Sequence, residues 1–365
     1  MSFLNTDKVL YHPERFREWQ TTGDTSAPVT IKIDLTNVCN HDCPGCIDFD
    51  LIVNDNNQLK SELFDSLLPN LKKMGVKGIN YTGGGEPTTH RDFDKIVKKT
   101  HEHGLEIGLI SNGSRFHKFP MEEILHMFTW IRISLDAYDE ETHKRTHGKK
   151  AKFKQTVDNI KLITDLKKKP LLGDCPRGCL SLAGCDTTIG VGYITNQHAD
   201  MDRNLGKFMT IVRDLGVDYA QLRPSFGFFY DYKTIPQEEW KSIFREVKKY
   251  ETDSFKVFVD EKKFEKVFSG NTERTYTCCH AQSFKSTTIS ATGDVYICCS
   301  LSGRAEGRIG NIKEESFYDI WNGETRKKVL EDLDVNKCPR LCVGDNMNEF
   351  LERFKNNKPT HKNFL

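Results

Sequence analysis

The sequence predicts an α/β fold: a partial (β/α)6 barrel of parallel strands, followed by a small C-terminal α+β domain. Three observations carry this expectation. Strand-like and helix-like segments alternate six times, which implies a parallel sheet with covering helices. Three of the helical segments stop at a glycine, Gly75, Gly104 and Gly216, where left-handed φ costs little. Beyond about residue 270 the repeat gives way to a hairpin signal and an isolated helix. Six units are too few for a closed eight-stranded barrel, so the sheet is expected to stay open.

The first strand is Val29–Leu35, "VTIKIDL", which alternates strictly between apolar and polar residues. Gly78–Thr82, Leu105–Ser111, Trp130–Leu135, Thr188–Thr195 and Tyr219–Arg223 supply the other five. Segments of helical period lie between them, such as "ELFDSLLPNLKKM", with Pro69 as a kink point, and "FKQTVDNIKLITDLKKK". Residues 236–269 read as a charged helical connector. In the C-terminal part, "STTISATGDVYICCS" reads as a hairpin turning at Thr292–Asp294, and "SFYDIWNGETRKKVLEDL" as one helix. The expected divisions are a 1–28 extension, a 29–235 barrel, the 236–269 connector and a 270–365 domain.

The chain has 365 residues and a net charge of +1. Such a balance leaves no electrostatic footprint for nucleic acid or an anionic membrane. No apolar run reaches the roughly 18 residues of a membrane span, and the charged N-terminus is not a secretory signal. A cytoplasmic protein is the expectation. The twelve cysteines stand out. In a reducing compartment, clustered thiols are better read as metal ligands than as disulfides.

"CNHDCPGC" places Cys39, Cys43 and Cys46 in a C-x3-C-x2-C loop just after the first strand. Three thiolates do not close a tetrahedral zinc site. They suit an iron–sulfur cube held at three corners, with one iron open to another ligand. Function in parallel sheets gathers at the carboxyl ends of the strands, where this loop lies. Further motifs end later strands: "TGGGEP" (Thr82–Pro87), "SNG" (Ser111–Gly113) and "SLD" (Ser134–Asp136). Glycines permit close backbone approach, and Glu86 offers a carboxylate to a cationic group.

This combination resembles the radical S-adenosylmethionine (radical SAM) superfamily. The resemblance implies a 4Fe–4S cluster on Cys39, Cys43 and Cys46, with S-adenosylmethionine chelated to the open iron and cleaved to a 5′-deoxyadenosyl radical. It implies that Gly84 and Gly85 approach the cofactor and that Glu86 binds its amine. Ser111, Asn112 and Ser134 would serve its ribose or carboxylate, and Arg223 would lie near its adenine. Gly45 stands where the family often has an aromatic residue, so the adenine lacks that packing partner. The cofactor carries the chemistry, so no side chain is assigned an acid–base or nucleophilic role.

The C-terminal Cys279, Cys298, Cys338 and Cys342 would suit zinc or a cluster equally well by count. Their setting resembles the SPASM/twitch extension of radical SAM enzymes. That likeness implies a second 4Fe–4S cluster on these four, with Cys278 and Cys299 as alternatives to their neighbours. For Cys175, Cys179 and Cys185 three readings compete: a further metal centre, a zinc site, or a substrate-covering loop that binds nothing.

The expected activity is hydrogen abstraction from a small polar metabolite of sugar, aminocyclitol or nucleoside type, leading to oxidation or rearrangement. Modification of a peptide or protein side chain is the alternative. It is weighed down by the 28 residues before the first strand, too few for a leader-binding domain. An iron–sulfur electron carrier or zinc-binding structural protein is the reading from another class. A flavodoxin or ferredoxin would supply electrons. From their positions in or after the last two barrel strands, Tyr193, Arg223, Phe226 and Tyr230 are expected to face the substrate.

Overall fold

Strand β1 (Thr30–Asp34) lies inside a sheet of ten strands, with neighbours on both sides. The computed structural model describes residues 6–48, 55–169, 185–195, 198–225, 235–269, 273–339 and 341–356. On one side of β1 follow β2 (Gly78–Thr82), β3 (Glu106–Ser111), β4 (Phe128–Ser134), β5 (Thr188–Thr195), β6 (Tyr219–Pro224) and β7 (Lys256–Val259), every adjacent pair parallel. On the other side lie β8 (Thr288–Ile289), parallel to β1, then β9 (Asp294–Tyr296) and β10 (Arg308–Asn311), each antiparallel to its predecessor. The sheet does not close: β7 and β10 are its edges.

Alternation along the strands separates two faces. Ile31, Ile33, Ile79, Tyr81, Ile107 and Leu109 are buried in the apolar core, together with helix residues such as Phe64, Leu68, Phe93 and Ile96. The opposite parity faces the lumen and is polar or empty: Lys32 and Asp34, Arg132 and Ser134, Gly190 and Gly192, Gln221 and Arg223. Helices Leu63–Met74, Leu205–Asp214 and Phe93–Glu102 end near Gly75, Gly216 and Gly104, all at positive φ, as the sequence predicts. The helix carrying Pro69 runs unbroken from Leu63 to Met74.

Two expectations change. The 236–269 stretch contains helices Gln237–Lys248 and Glu261–Ser269, but β7 lies between them and extends the sheet. Four residues flanked by charges are too short a run to show a period. The single helix expected at 316–333 is two, Phe317–Asn322 and Glu324–Glu331, parted at Gly323.

A second apolar cluster joins the chain's beginning to its end. Val9 and Trp19 pack with Ala281, Phe284, Met347 and Leu351. Arg326 reaches across to Asp24 with two hydrogen bonds, 2.6 and 2.9 Å, and lies over the Trp321 ring at 3.7 Å. No helix among the described residues is long and apolar enough to cross a membrane.

Candidate active site

The cysteine loop leaves β1 and is pinned by the glycine run that leaves β2. Gly85 N donates to Thr36 O at 2.7 Å, and Glu86 N to Val38 O at 2.9 Å. A Cβ on Gly85 would lie 2.1 Å from Val38 O, and one on Gly84, at φ +68°, 2.6 Å from Asn37 Oδ1. The glycines therefore admit the backbone that carries Cys39.

Glu86 is buried and heavily used. Its Oε1 accepts from Thr88 N (3.1 Å), Thr88 Oγ1 (2.6 Å) and Ser111 Oγ (2.7 Å), and its Oε2 from Asn112 N (2.7 Å). Burial pushes its pKa up against the pull of these donors. A carboxylate has about four lone-pair sites, so Oε2 keeps one for a further donor. Ser111 and Asn112 are engaged within this hub: Asn112 Nδ2 donates to Asn40 Oδ1 at 2.9 Å, and Asn40 Nδ2 to Ser114 Oγ at 2.8 Å. The ends of β2 and β3 are thus tied to the cysteine loop through Asn40. The Ser134 hydroxyl, at the end of β4, has no hydrogen-bond partner among the described residues and faces the lumen.

Cys39, Cys43 and Cys46 are half-buried. Burial pushes the Cys39 thiol up to about 12 and Cys46 up to about 11, with the neighbouring sulfurs adding to it. Behind Cys43 stand three histidines. His147 places Nδ1 3.5 Å from Cys43 Sγ and Nε2 3.2 Å from Asp136 Oδ2. Burial opposes charge on His147, but Asp136 and Cys43 outweigh it and push its pKa up to about 10. Burial and the charge on His147 lower His143 to about 4. His41, lowered mainly by burial to about 3, completes the group. Asp136 holds φ +49°, a conformation tolerated by aspartate, and accepts Ile194 N at 2.6 Å.

In the C-terminal part, Cys279, Cys298, Cys338 and Cys342 gather. Burial raises the pKa of each first; the Cys279 sulfur raises the other three further, Cys342 to about 12, and Asp345 adds to Cys279. Asn348 Nδ2 donates to Cys279 Sγ at 3.6 Å, and Gly344 N to Cys342 Sγ at 3.4 Å. Cys278 turns the other way, 3.5 Å from His280 Nε2, which lies 2.6 Å from Glu352 Oε2. Cys299 lies close to Lys32 and Lys285: burial opposes charge on Lys32, but Asp34 and Cys299 outweigh it and raise its pKa, whereas burial lowers that of Lys285 against the pull of Cys299.

Both thiol sets fit clusters better than single ions. Ligand atoms around a tetrahedral zinc lie about 3.8 Å apart. Among the described residues, three candidate ligand atoms come within 4.8 Å of one another at His41, Cys43 and His147, and at Cys278, His280 and Glu352. Neither the three-cysteine loop nor the four C-terminal thiols are drawn in so tightly.

Tyr193 does not face the lumen. It is buried against Phe208 with ring centroids 4.9 Å apart, because it shares the parity of Ile189 and Val191. Cys185 lies in the core with Sγ 3.5 Å from Thr187 Oγ1, so it is a packing residue. Cys175, Cys179, Phe226 and Tyr230 lie outside the described residues. The sequence reading missed His147, Asn40 and Arg132. Arg132 was within reach of it, two residues before Ser134 on the same face.

An open parallel sheet with a thiol loop at the end of its first strand, and a second thiol set beyond its last barrel strand, defines an iron–sulfur protein of the radical SAM class. The comparisons agree: residues 33–179 match the radical SAM superfamily, and residues 278–344 match the SPASM iron-sulfur cluster-binding domain. The chain is a member of the radical SAM superfamily with a SPASM-type C-terminal domain. These domains imply a 4Fe–4S cluster that works with S-adenosylmethionine, and auxiliary iron–sulfur binding.

Among curated relatives, the chain is 33% identical over 116 residues to an S-adenosylmethionine-dependent nucleotide dehydratase of Selenomonas ruminantium, covering 31% of this chain and 40% of that protein. It is 29% identical over 215 residues to a probable GTP 3′,8-cyclase of Thermococcus kodakarensis, covering 58% and 65%. The sporulation killing factor maturation protein SkfB of Bacillus subtilis is 27% identical over 143 residues, covering 39% and 34%. The chain thus spans less than two thirds of each of these relatives. SuiB of Streptococcus suis, solved with S-adenosylmethionine, shares the fold at a TM-score of 0.64 and 15% identity, over 88% of this chain and 72% of that one.

Proposed function

We propose that this chain cleaves S-adenosylmethionine reductively and abstracts hydrogen from a small polar metabolite of sugar, aminocyclitol or nucleoside type, with oxidation or rearrangement as the outcome. The observation that carries this reading is the hub joining Asn40 of the cysteine loop to Glu86, Ser111 and Asn112. An electron carrier has no use for a buried carboxylate held ready beside its ligand loop. A reduced cluster held there would supply the one electron that breaks the C5′–S bond of S-adenosylmethionine, giving methionine and a 5′-deoxyadenosyl radical.

The chain's own residues position and shield. Cys39, Cys43 and Cys46 hold three corners of the cluster. Gly84 and Gly85 seat the loop, Glu86 offers Oε2 to the cofactor amine, and Ser134 offers its hydroxyl from β4. Cys279, Cys298, Cys338 and Cys342 hold the auxiliary cluster. The divisions at 29–235 and 270–365 are proposed as the catalytic barrel and the auxiliary-cluster domain, and the electron donor is proposed as a flavodoxin or ferredoxin. The names of the Selenomonas and Thermococcus relatives support a small-molecule substrate. A second reading, modification of a peptide, is favoured by the similarity to SkfB, a maturation protein.

The test is anaerobic. Protein with its clusters intact, reduced with dithionite, is expected to release 5′-deoxyadenosine from S-adenosylmethionine, and the C39A/C43A/C46A variant is not. No release, even with candidate metabolites and peptides present, would overturn the enzyme reading.

A further inference from the structure

Among the described residues, the lumen of the barrel holds two guanidinium groups with no counter-charge in contact. Arg132 on β4 and Arg223 on β6 flank β5, in register with Gly190 and Ile194; two lumen-facing positions of β5, the lower Gly190 and the upper Gly192, carry no side chain. A Cβ on Gly190 would fall 2.0 Å from the Tyr219 ring, so that aromatic fills the lower position. At the upper one, a Cβ on Gly192 would sit 4.0 Å from both Arg132 Cδ and Arg223 Nη2. The two arginines therefore approach each other over Gly192, where β5 has no side chain to part them.

Their partners are few. Arg132 Nη1 donates to Gln221 Oε1 at 3.0 Å, while Arg132 Nε and Arg223 Nε are buried without an acceptor. No carboxylate lies within ion-pair distance of either among the described residues. The nearby charges are already matched: Lys263 lies 3.4 Å from Asp260, Lys32 3.5 Å from Asp34, and Asp136 faces His147. Burial lowers the pKa of both arginines, and Arg223 helps lower Arg132 to about 9. Like charges side by side in a half-buried site are unfavourable unless an anion joins them. Two guanidiniums match the charge of a phosphate monoester, and their planar forks suit its oxygens. A carboxylate would balance only one.

We infer that Arg132 and Arg223 bind a phosphoryl group of the substrate in the barrel lumen, across Gly192. This rests on the small-molecule reading and narrows it to a phosphorylated metabolite or a nucleotide. Of the two places expected for Arg223, beside the adenine of the cofactor and facing the substrate, it takes the second.

The experiment uses the full-length protein with its clusters and saturating S-adenosylmethionine, without oxygen and at constant ionic strength. Inorganic phosphate, pyrophosphate and acetate are titrated by calorimetry. Phosphate or pyrophosphate is expected to bind saturably, and acetate is not. Tighter phosphate points to a monoester, tighter pyrophosphate to a nucleotide polyphosphate. R132Q and R223Q are each expected to weaken binding about tenfold or more, the loss of one charge-assisted contact, with R132K recovering part of it. S-adenosylmethionine affinity, measured by equilibrium dialysis, and iron content are expected to stay at the unsubstituted level.

If neither anion binds, or if cofactor affinity falls with the same substitutions while anion binding does not, the assignment is wrong. Anion binding without 5′-deoxyadenosine release would sink the proposed activity and leave this site standing; release without anion binding would do the reverse.

Discussion

His147 lies with Nδ1 3.5 Å from the sulfur of Cys43, and its raised pKa makes that nitrogen a donor. A hydrogen bond to a ligating sulfur stabilises the reduced cluster and raises its potential. With Cys43 proposed as a cluster ligand, His147→Phe is expected to lower the midpoint potential by tens of mV, since about 59 mV is tenfold for one electron. His147→Gln, which keeps an N–H, is expected to restore part of it. A redox titration followed by electron paramagnetic resonance checks this. An unchanged potential with normal iron content would reduce His147 to packing.

The adjacent cysteines at 278 and 279 face different surroundings. Cys279 shares its space with Cys298, Cys338 and Cys342, whereas Cys278 faces His280 and Lys355. In a C39A/C43A/C46A background, about four irons are expected to remain, one cube. Adding Cys279→Ser is expected to remove them, and adding Cys278→Ser is not. Iron and sulfide analysis decides it.

Gly85→Ala should cost stability and the loop together. Its Cβ would meet the Val38 carbonyl, which is backbone and cannot swing away. A loss of about 1–3 kcal/mol is expected for forced overpacking. Urea unfolding reads the stability, and the iron content of the barrel is expected to fall with it.

Arg326 bridges the two ends of the chain. Its pair with Asp24 is buried on the arginine side, and it also donates to Gln282 Oε1 at 2.8 Å. Arg326→Met is expected to cost about 1.5–3 kcal/mol, the range of hydrogen bonds to charged groups. Asp24→Asn is expected to cost less, since that carboxylate is partly exposed. Equal losses in the two variants would deny the arginine its central part.

Acid should weaken the fold through His143, which is fully buried and lowered to about 4. Unfolded, it titrates near 6.5, so below that the unfolded chain binds the extra proton. Its contribution is present above pH 6.5 and is lost as pH falls toward 4. Between pH 7.5 and 5.5 this amounts to about 1.3 kcal/mol. His143→Leu is expected to flatten that part of the stability profile; an unchanged slope would mean the histidine is not held neutral.

Much of the barrel was legible because period 2 is a strong signal. β2 and β5 fall where the sequence places them, and β1, β3, β4 and β6 within two residues. The short β7 was hidden by its length, and Gly323 split a helix whose apolar period runs on through it. Motifs at strand ends showed which residues matter, but not what they touch. Ser111 reads as a ligand and is found bonding Glu86. Tyr193 was assigned to substrate from its place along β5, when its parity with Val191 already turned it to the helices. His147 and Cys43 are 104 residues apart, and no local pattern links them.

The pairing of β1 with β8 brings Lys32 opposite Thr288 and Ile33 opposite Ile289. On the ribosome, the first strand emerges long before its second partner exists. At roughly 5–20 residues per second, that delay is on the order of tens of seconds. Through that time β1 presents a row of unpaired amides and carbonyls beside its cysteine loop, a ready template for another chain. Synthesis of this protein therefore passes through a sticky, oxidisable half-barrel. Slowed translation upstream of residue 288, or a shortage of chaperone, would lower the yield of folded protein before any iron is delivered.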